Sequence, residues 1–196
     1  TISFEIEGGI LFDRKNPKHV QEAKKLNIKP IDIVVCNLYP FEETIAKTKV
    51  KLIDAIGNID VGGPTMIRAA AKNFKNVLVV VDPKDYKKVG NKLSKRIDEI
   101  FCRKLASKAF YHLSFYDSQI ARFFNKELFP QKLTFALRKS INLRYGENPH
   151  QKASLYLYPN NNSSLNNLQK KWGRDLSLVN VTDINPGLES VKLFSE

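Results

Sequence analysis

The sequence predicts an α/β protein built on a parallel sheet, and three observations carry this. Ile31-Asp32-Ile33-Val34-Val35-Cys36 is a β-branched run bounded by Pro30 and Pro40. Asn76-Val77-Leu78-Val79-Val80-Val81 is a second such run, ended by Asp82-Pro83. Between them lies an alanine-rich helical stretch, and the order strand, helix, strand argues for parallel pairing. Both runs are apolar on every face, which suits adjacent or near-adjacent strands of a sheet covered on two sides.

The remaining elements follow in order. Gly8-Gly9-Ile10-Leu11-Phe12 reads as a turn into an apolar stretch. Asn16-Pro17 opens a polar helix with Val20, Ala23 and Leu26 on one side, and Lys29-Pro30 breaks it. Asn37 to Thr44 is the loop at the carboxyl end of the first strand, where open α/β sheets bind ligands. Val50 to Ile56 suggests a short helix. Gly62-Gly63-Pro64 leads from loop into a helix with Pro64 in its first turn, continued by Met66 to Lys72. Leu93 to Leu128 keeps mostly three- and four-residue apolar spacing and is long enough for two helices, ended by Leu128-Phe129-Pro130. Thr134 to Leu143 reads as an extended connection to a second unit, Pro159 to Ser164 as an exposed polar loop, and Val179 to Glu196 as the start of a further element.

Composition bounds the function. The 196 residues allow one large or two small domains, and 42% apolar content suffices for a packed core. Nothing approaches the length of a membrane span or a signal peptide. The chain starts at Thr1 without a Met, which suggests a fragment or a processed chain. Cys36 and Cys102 sit in apolar surroundings and fit a reducing compartment, and three scattered histidines make a zinc site a poor reading. The net charge of +12 suits nucleic acid or phosphorylated small molecules. The densest basic run, Lys87, Lys88, Lys92, Lys95 and Arg96, has no interleaved aromatic residues and reads as a solvated face.

Three polar clusters follow one another within about one βα unit: Asn37-Leu38-Tyr39-Pro40-Phe41, Asn58 to Thr65, and Arg68-Ala69-Ala70-Ala71-Lys72-Asn73. Tyr39, Asp60 and Lys72 supply an acid, a base and a cation, a set suited to a metal-free, proton-shuffling condensation. Each has a plainer reading in isolation. Tyr39 before Pro40 can be a packing loop aromatic. Asp60 can be a turn or cap acid. Lys72 can complement the end of a helix dipole.

These clusters, with Val80-Val81-Asp82-Pro83 and Asp85-Tyr86, resemble the inosine monophosphate (IMP) cyclohydrolase domain of the bifunctional purine-biosynthesis family. Leu143-Arg144-Tyr145-Gly146-Glu147-Asn148-Pro149-His150-Gln151 resembles the opening of that family's second activity, the aminoimidazole carboxamide ribonucleotide (AICAR) transformylase. The resemblance covers nearly the whole chain and is weakest over Pro159 to Lys171. It implies a sheet of methylglyoxal-synthase-like type over residues 1–137, lacking its N-terminal segment, and a truncated second α/β domain over 138–196. It implies that Tyr39, Asp60 and Lys72 are catalytic, and that Thr1, Asn37, Gly62, Gly63, Arg68, Arg144, Tyr145 and His150 bind substrate. The implied reaction closes the ring of formyl-AICAR ribonucleotide to IMP with loss of water and without a cofactor. The transformylase activity would take 10-formyltetrahydrofolate as co-substrate.

Family members commonly read T-L-H-P-x-x-H where this chain reads Thr1-Ile2-Ser3-Phe4-Glu5-Ile6-Glu7. Leu178-Val179 replaces the usual Tyr-Asn between Ser177 and Asn180, while Ser177, Asn180 and Asp183 match. A phosphate-binding segment is expected before Thr1 and the formyl-transfer Lys-His pair after Glu196, so the chain alone is expected to be nearly inactive and to expose a sheet edge or an unfilled core. The implied setting is a cytoplasmic homodimer acting on phosphorylated purine precursors, away from nucleic acid and membrane. A nucleotide-binding or regulatory module of the same fold without catalysis is the second reading, and a basic RNA-binding protein the third.

Overall fold

The computed structural model describes residues 2–94, 97–125, 127–159 and 165–194. The protein is a mixed α/β chain of two compact units, residues 1–134 and 135–196. Thr1, Lys95, Arg96 and residues 160–164, on which several expectations fell, lie outside the described residues.

In the first unit Gly8 and Gly9 form no turn. They lie inside helix α1, Phe4–Leu11. Close packing is the reason: a Cβ on Gly9 would stand 2.5 Å from the Lys29 carbonyl oxygen. The bare backbone lets α1 lie against the chain entering the sheet, where the Ile31 amide donates to the Gly9 carbonyl. Helix α2, Pro17–Lys25, starts as expected, with Pro17 in its first turn and the Asn16 side chain accepting from the Lys18 amide. It stops before Lys29-Pro30, because Asn27 turns left-handed at φ 53°.

Strands β1, Ile33–Val35, and β2, Leu78–Val80, pair in parallel with Val34 opposite Val79. Every residue of β2 is buried, but Val35 of β1 is 56% exposed. The expected cover on both faces therefore holds for β2 and not for β1. Helix α7, Glu99–Phe124, packs over β2, while helix α5, Gly62–Lys72, meets both strands.

The connection between the strands holds more structure than the sequence suggested. The loop after β1 runs only to Pro40, and Phe41–Ile45 is a one-turn helix, α3. Helix α4, Leu52–Gly57, precedes α5. At the far end of α5 the Asn73 side-chain amide donates to the carbonyls of Ile10 and Phe12, at 2.7 and 3.2 Å, tying α5 to α1.

After β2 come a 3-10 turn at Pro83–Asp85 and helix α6, Tyr86–Leu93. The helical stretch expected to begin at Leu93 instead ends one helix there. Asp98 then caps α7 by accepting from the Phe101 amide at 2.7 Å, and α7 runs unbroken for 26 residues. The main core gathers Ile10, Val34, Ile67, Ala70, the Val77–Val81 run, Val89, Leu105, Ala109 and Leu113. Each fully buried Ile or Leu there stabilises the fold by roughly 1.5–3 kcal/mol. A smaller cluster forms around Phe41, Ala55 and Tyr116, with Ile120 and Phe123 packed against it.

In the second unit the expected extended connection is a strand. β3, Arg138–Leu143, pairs antiparallel with β4, Ala153–Leu157, with Leu143 opposite Ala153. Helix α8, Leu178–Lys192, opens in a reciprocal cap between Ser177 and Asn180, and Ser177 is 1% exposed. No helix among the described residues is long and apolar enough to cross a membrane.

Candidate active site

The site is built where β1 ends and α5 begins. The chain leaves β1 through Cys36 and Asn37, and the Asn37 side-chain amide donates to the Tyr86 hydroxyl at 3.5 Å. Tyr39, Pro40 and Phe41 form a tight turn: Pro40 has φ −79° and ψ 62°, and the Phe41 amide donates to the Tyr39 carbonyl at 2.8 Å. That is the geometry of an inverse γ-turn. It leaves the Tyr39 ring 57% exposed and sends Phe41 fully into the core, edge-on to Tyr116 and Phe123.

Asp60 sits at the start of α5, half-buried. Its Oδ1 accepts from the Gly63 amide at 2.8 Å, so one otherwise unpaired first-turn N–H is satisfied by the carboxylate. The positive end of a helix favours negative charge at this place. Gly63 is buried and has no room for a side chain: a Cβ would lie 2.6 Å from Asp60 Oδ2 and 2.8 Å from Leu38 Cδ2. The loop after β1 and the Asp60 turn are therefore in contact. Burial, and secondarily the Asp60 charge, push the Cys36 thiol up.

The backbone around Asp60 is held from α7. The Tyr116 hydroxyl accepts from the Asp60 amide at 2.8 Å and donates to the Asn58 carbonyl at 3.1 Å. Sequence reasoning missed Tyr116. Its three- and four-residue spacing from Leu113, Gln119 and Ile120 marks a packed helix face, but nothing in the sequence singles out its hydroxyl.

Lys72 lies elsewhere on α5. It is nine residues past Gly63, which is about 14 Å along an ideal helix. There it lines a groove of about 320 Å³ between α1 and α5, with Glu7, Leu11, Thr65 and Arg68. Among the described residues the buried Glu7 Oε1 meets no hydrogen-bond partner, and burial pushes the Glu7 carboxyl up. Arg68 reaches Asp117 at 3.5 Å, with both side chains more than half exposed. Asp60, Gly62 and Gly63 thus lie at the start of α5, which the loop bearing Asn37 and Tyr39 meets through Leu38, while Arg68 and Lys72 line a groove that runs along α5 from Pro64 and Thr65.

In the second unit Arg144 and Tyr145 are paired. The guanidinium stands 4.8 Å from the Tyr145 ring centre and donates to the hydroxyl at 3.2 Å. This hydrogen bond holds the Tyr145 phenol below its usual range, helped by Ser177. The backbone is pinned on both sides: the Arg144 amide donates to Leu176, and the Leu178 amide to Tyr145. His150 is exposed in the following turn. Among the described residues no group of three or more His, Cys, Asp or Glu could hold a metal ion.

Comparison with known proteins gives these groupings a family. The model of the AICARFT/IMPCHase bienzyme family matches residues 70–196. The bifunctional purine biosynthesis protein PurH of Thermoanaerobacter sp. (strain X514) is 45% identical over 206 residues, covering 100% of this chain and 40% of that protein. PurH of Bacillus mycoides (strain KBAB4) is 46% identical over 202 residues, with the same coverage. This chain therefore spans about 40% of the length of the curated relatives it matches. Among solved structures, the crystal structure of ForH aligns with a TM-score of 0.57 at 32% identity, covering 62% of this chain and 64% of that one. The chain belongs to the AICARFT/IMPCHase bienzyme family.

Proposed function

We propose that the first unit carries an IMP cyclohydrolase site of methylglyoxal-synthase-like type, and that the second opens an AICAR transformylase domain using 10-formyltetrahydrofolate as co-substrate. The setting proposed is a cytoplasmic homodimer acting on phosphorylated purine precursors. The observation that carries the reading is the half-buried Asp60 carboxylate held by the Gly63 amide at the head of α5, where Leu38 of the loop that bears Asn37 and Tyr39 packs against Gly63.

Ring closure needs a carboxamide nitrogen to attack a neighbouring formamide carbon. The attacking nitrogen loses one proton and the formamide nitrogen the other, the formyl oxygen gains negative charge as the C–N bond forms, and the C–O bond then breaks as that oxygen leaves as water with both protons. Asp60 is anchored at Oδ1 by the Gly63 amide, which leaves Oδ2 to orient the carboxamide and take a proton. Tyr39, exposed on the adjoining loop, is the donor for the developing oxyanion. Lys72 is the further cation of the set, and Arg68, which lines the same groove, is the cation for an anionic group of the substrate. Arg144 and Tyr145 present a guanidinium and a ring at the head of the second unit, a pair suited to a phosphate or a nucleotide face.

The test is Asp60→Asn in the full-length protein, with ring closure followed by ultraviolet absorbance. Asn keeps the shape and one oxygen but cannot accept the proton, so turnover should fall roughly 10²–10⁴-fold with little change in binding. Wild-type turnover would remove Asp60 from the mechanism. Lys72→Met in the same assay tests whether groove and loop serve one substrate; an unchanged rate would detach Lys72 from the reaction.

A further inference from the structure

We infer that Tyr116 is a positioning residue for the Asp60 turn, acting from α7 through its hydroxyl rather than on the substrate. The inference rests on the role proposed for Asp60.

The geometry is specific. One oxygen closes both sides of a three-residue turn, accepting from the Asp60 amide at 2.8 Å and donating to the Asn58 carbonyl at 3.1 Å. Asn58 is the residue on which α4 ends, and Val61, after Asp60, is the residue from which α5 starts. The turn has no side-chain cap from Val61. The Asp60 side of the turn is held by Tyr116, which bonds its backbone at both ends, and by the Gly63 amide on the Asp60 carboxylate, while the Asn58 side is tied back to α4 through the Ile59 amide and the Asn58 side chain.

The hydroxyl is itself well held. Tyr116 is 6% exposed, its ring lies edge-on to Phe41, and burial pushes the phenol up, so the donor to Asn58 keeps its proton. The same face of α7 holds α3, the helix that follows the Tyr39 loop. Gln119, also 6% exposed, donates to the Glu42 carboxylate at 3.1 Å, and Phe123 packs edge-on against Phe41. One helix thus bonds the turn that carries the proposed base and packs against α3, which follows the loop of the proposed donor. The Tyr116 hydroxyl fixes where the base points, and misplacement of about 1 Å costs on the order of 100-fold in rate.

Tyr116→Phe removes only the hydroxyl and keeps the ring. In the full-length protein it should lower kcat roughly 10–100-fold with KM within about two-fold, since the loss is of orientation and not of substrate contacts. Combined with Asp60→Asn it should add little, because its effect passes through that carboxylate. Lys108→Met, about 12 Å before Tyr116 on the same helix and bonded to Asp82 and Asp85 instead, is the stability control and should leave kcat unchanged. Independently of catalysis, the Asp60 amide should exchange its proton faster in Tyr116→Phe.

The outcomes separate the two ideas. A wild-type Tyr116→Phe beside an impaired Asp60→Asn overturns the positioning role and leaves Asp60 in place. Additive losses in the double variant, or unchanged exchange at the Asp60 amide, also overturn it. An unimpaired Asp60→Asn removes the base on which both ideas rest.

Discussion

Gly63 shows how little tolerance the site has at the level of one residue. Its amide anchors Asp60, and the space where a methyl would stand is taken by Asp60 Oδ2 and Leu38 Cδ2. Gly63→Ala must push the carboxylate off its anchor or shift the loop after β1. Overpacking of this kind costs roughly 1–3 kcal/mol. The expected result is lower stability in urea denaturation and a displaced Asp60 amide resonance in nuclear magnetic resonance spectra. Unchanged stability and an unmoved resonance would mean that the contact relaxes freely. The sequence marked Gly62-Gly63 as loop entering a helix, and that is where α5 starts. It could not show why glycine is needed, because the atoms that fill the space come from Leu38, distant along the chain, and from a side chain folded back from Asp60.

Elements were legible where periodicity or a breaker is local, and illegible where a partner decides. The β1 and β2 runs, the Asn16-Pro17 start and the Pro64 entry are carried by nearby residues, and each is found in place. Gly8-Gly9 was misread because a glycine pair signals a turn, whereas here it permits a helix to lie against Lys29. The helix rise also sets Lys72 about 14 Å from Gly63 along α5, a spacing that the chain order alone does not turn into a position relative to Asp60.

The junction of β2 and α7 makes a testable element. Lys108 bridges Asp82 at 2.7 Å and Asp85 at 2.6 Å. The Lys108 hydrogen bond, with help from the Lys84 amide, holds the Asp82 carboxyl below its usual range. A carboxyl depressed in the folded state stabilises above its unfolded value, about pH 3.9, and that contribution is lost as pH falls through the folded value. Lys108→Met should therefore cost on the order of 1 kcal/mol at pH 7, after allowing for solvent screening. The difference from wild type should be smaller near pH 3 than at pH 7, as measured by urea denaturation. An equal difference at both pH values would assign the loss to packing of the lysine stem.

The whole molecule combines two units whose sheets are closed in different ways. The parallel pairing joins Ile33 to Leu78, 45 residues apart (78 − 33), with α3, α4 and α5 in between. The antiparallel pairing joins Leu143 to Ala153, 10 residues apart (153 − 143). Distant pairing pays the entropy of loop closure before any ladder bond rewards it, and near pairing pays much less. The two sheets should therefore appear at different times when the chain folds. In a refolding experiment with pulsed hydrogen exchange, amides of β3 and β4 should gain protection first, and those of β1 and β2 only once α5 is protected. Earlier protection of β1 would reverse that order. Because Asp60 and Tyr39 both lie within the long crossover, any surface they share comes into being only once β1 and β2 have paired, and a chain arrested before that point holds both residues and no such surface.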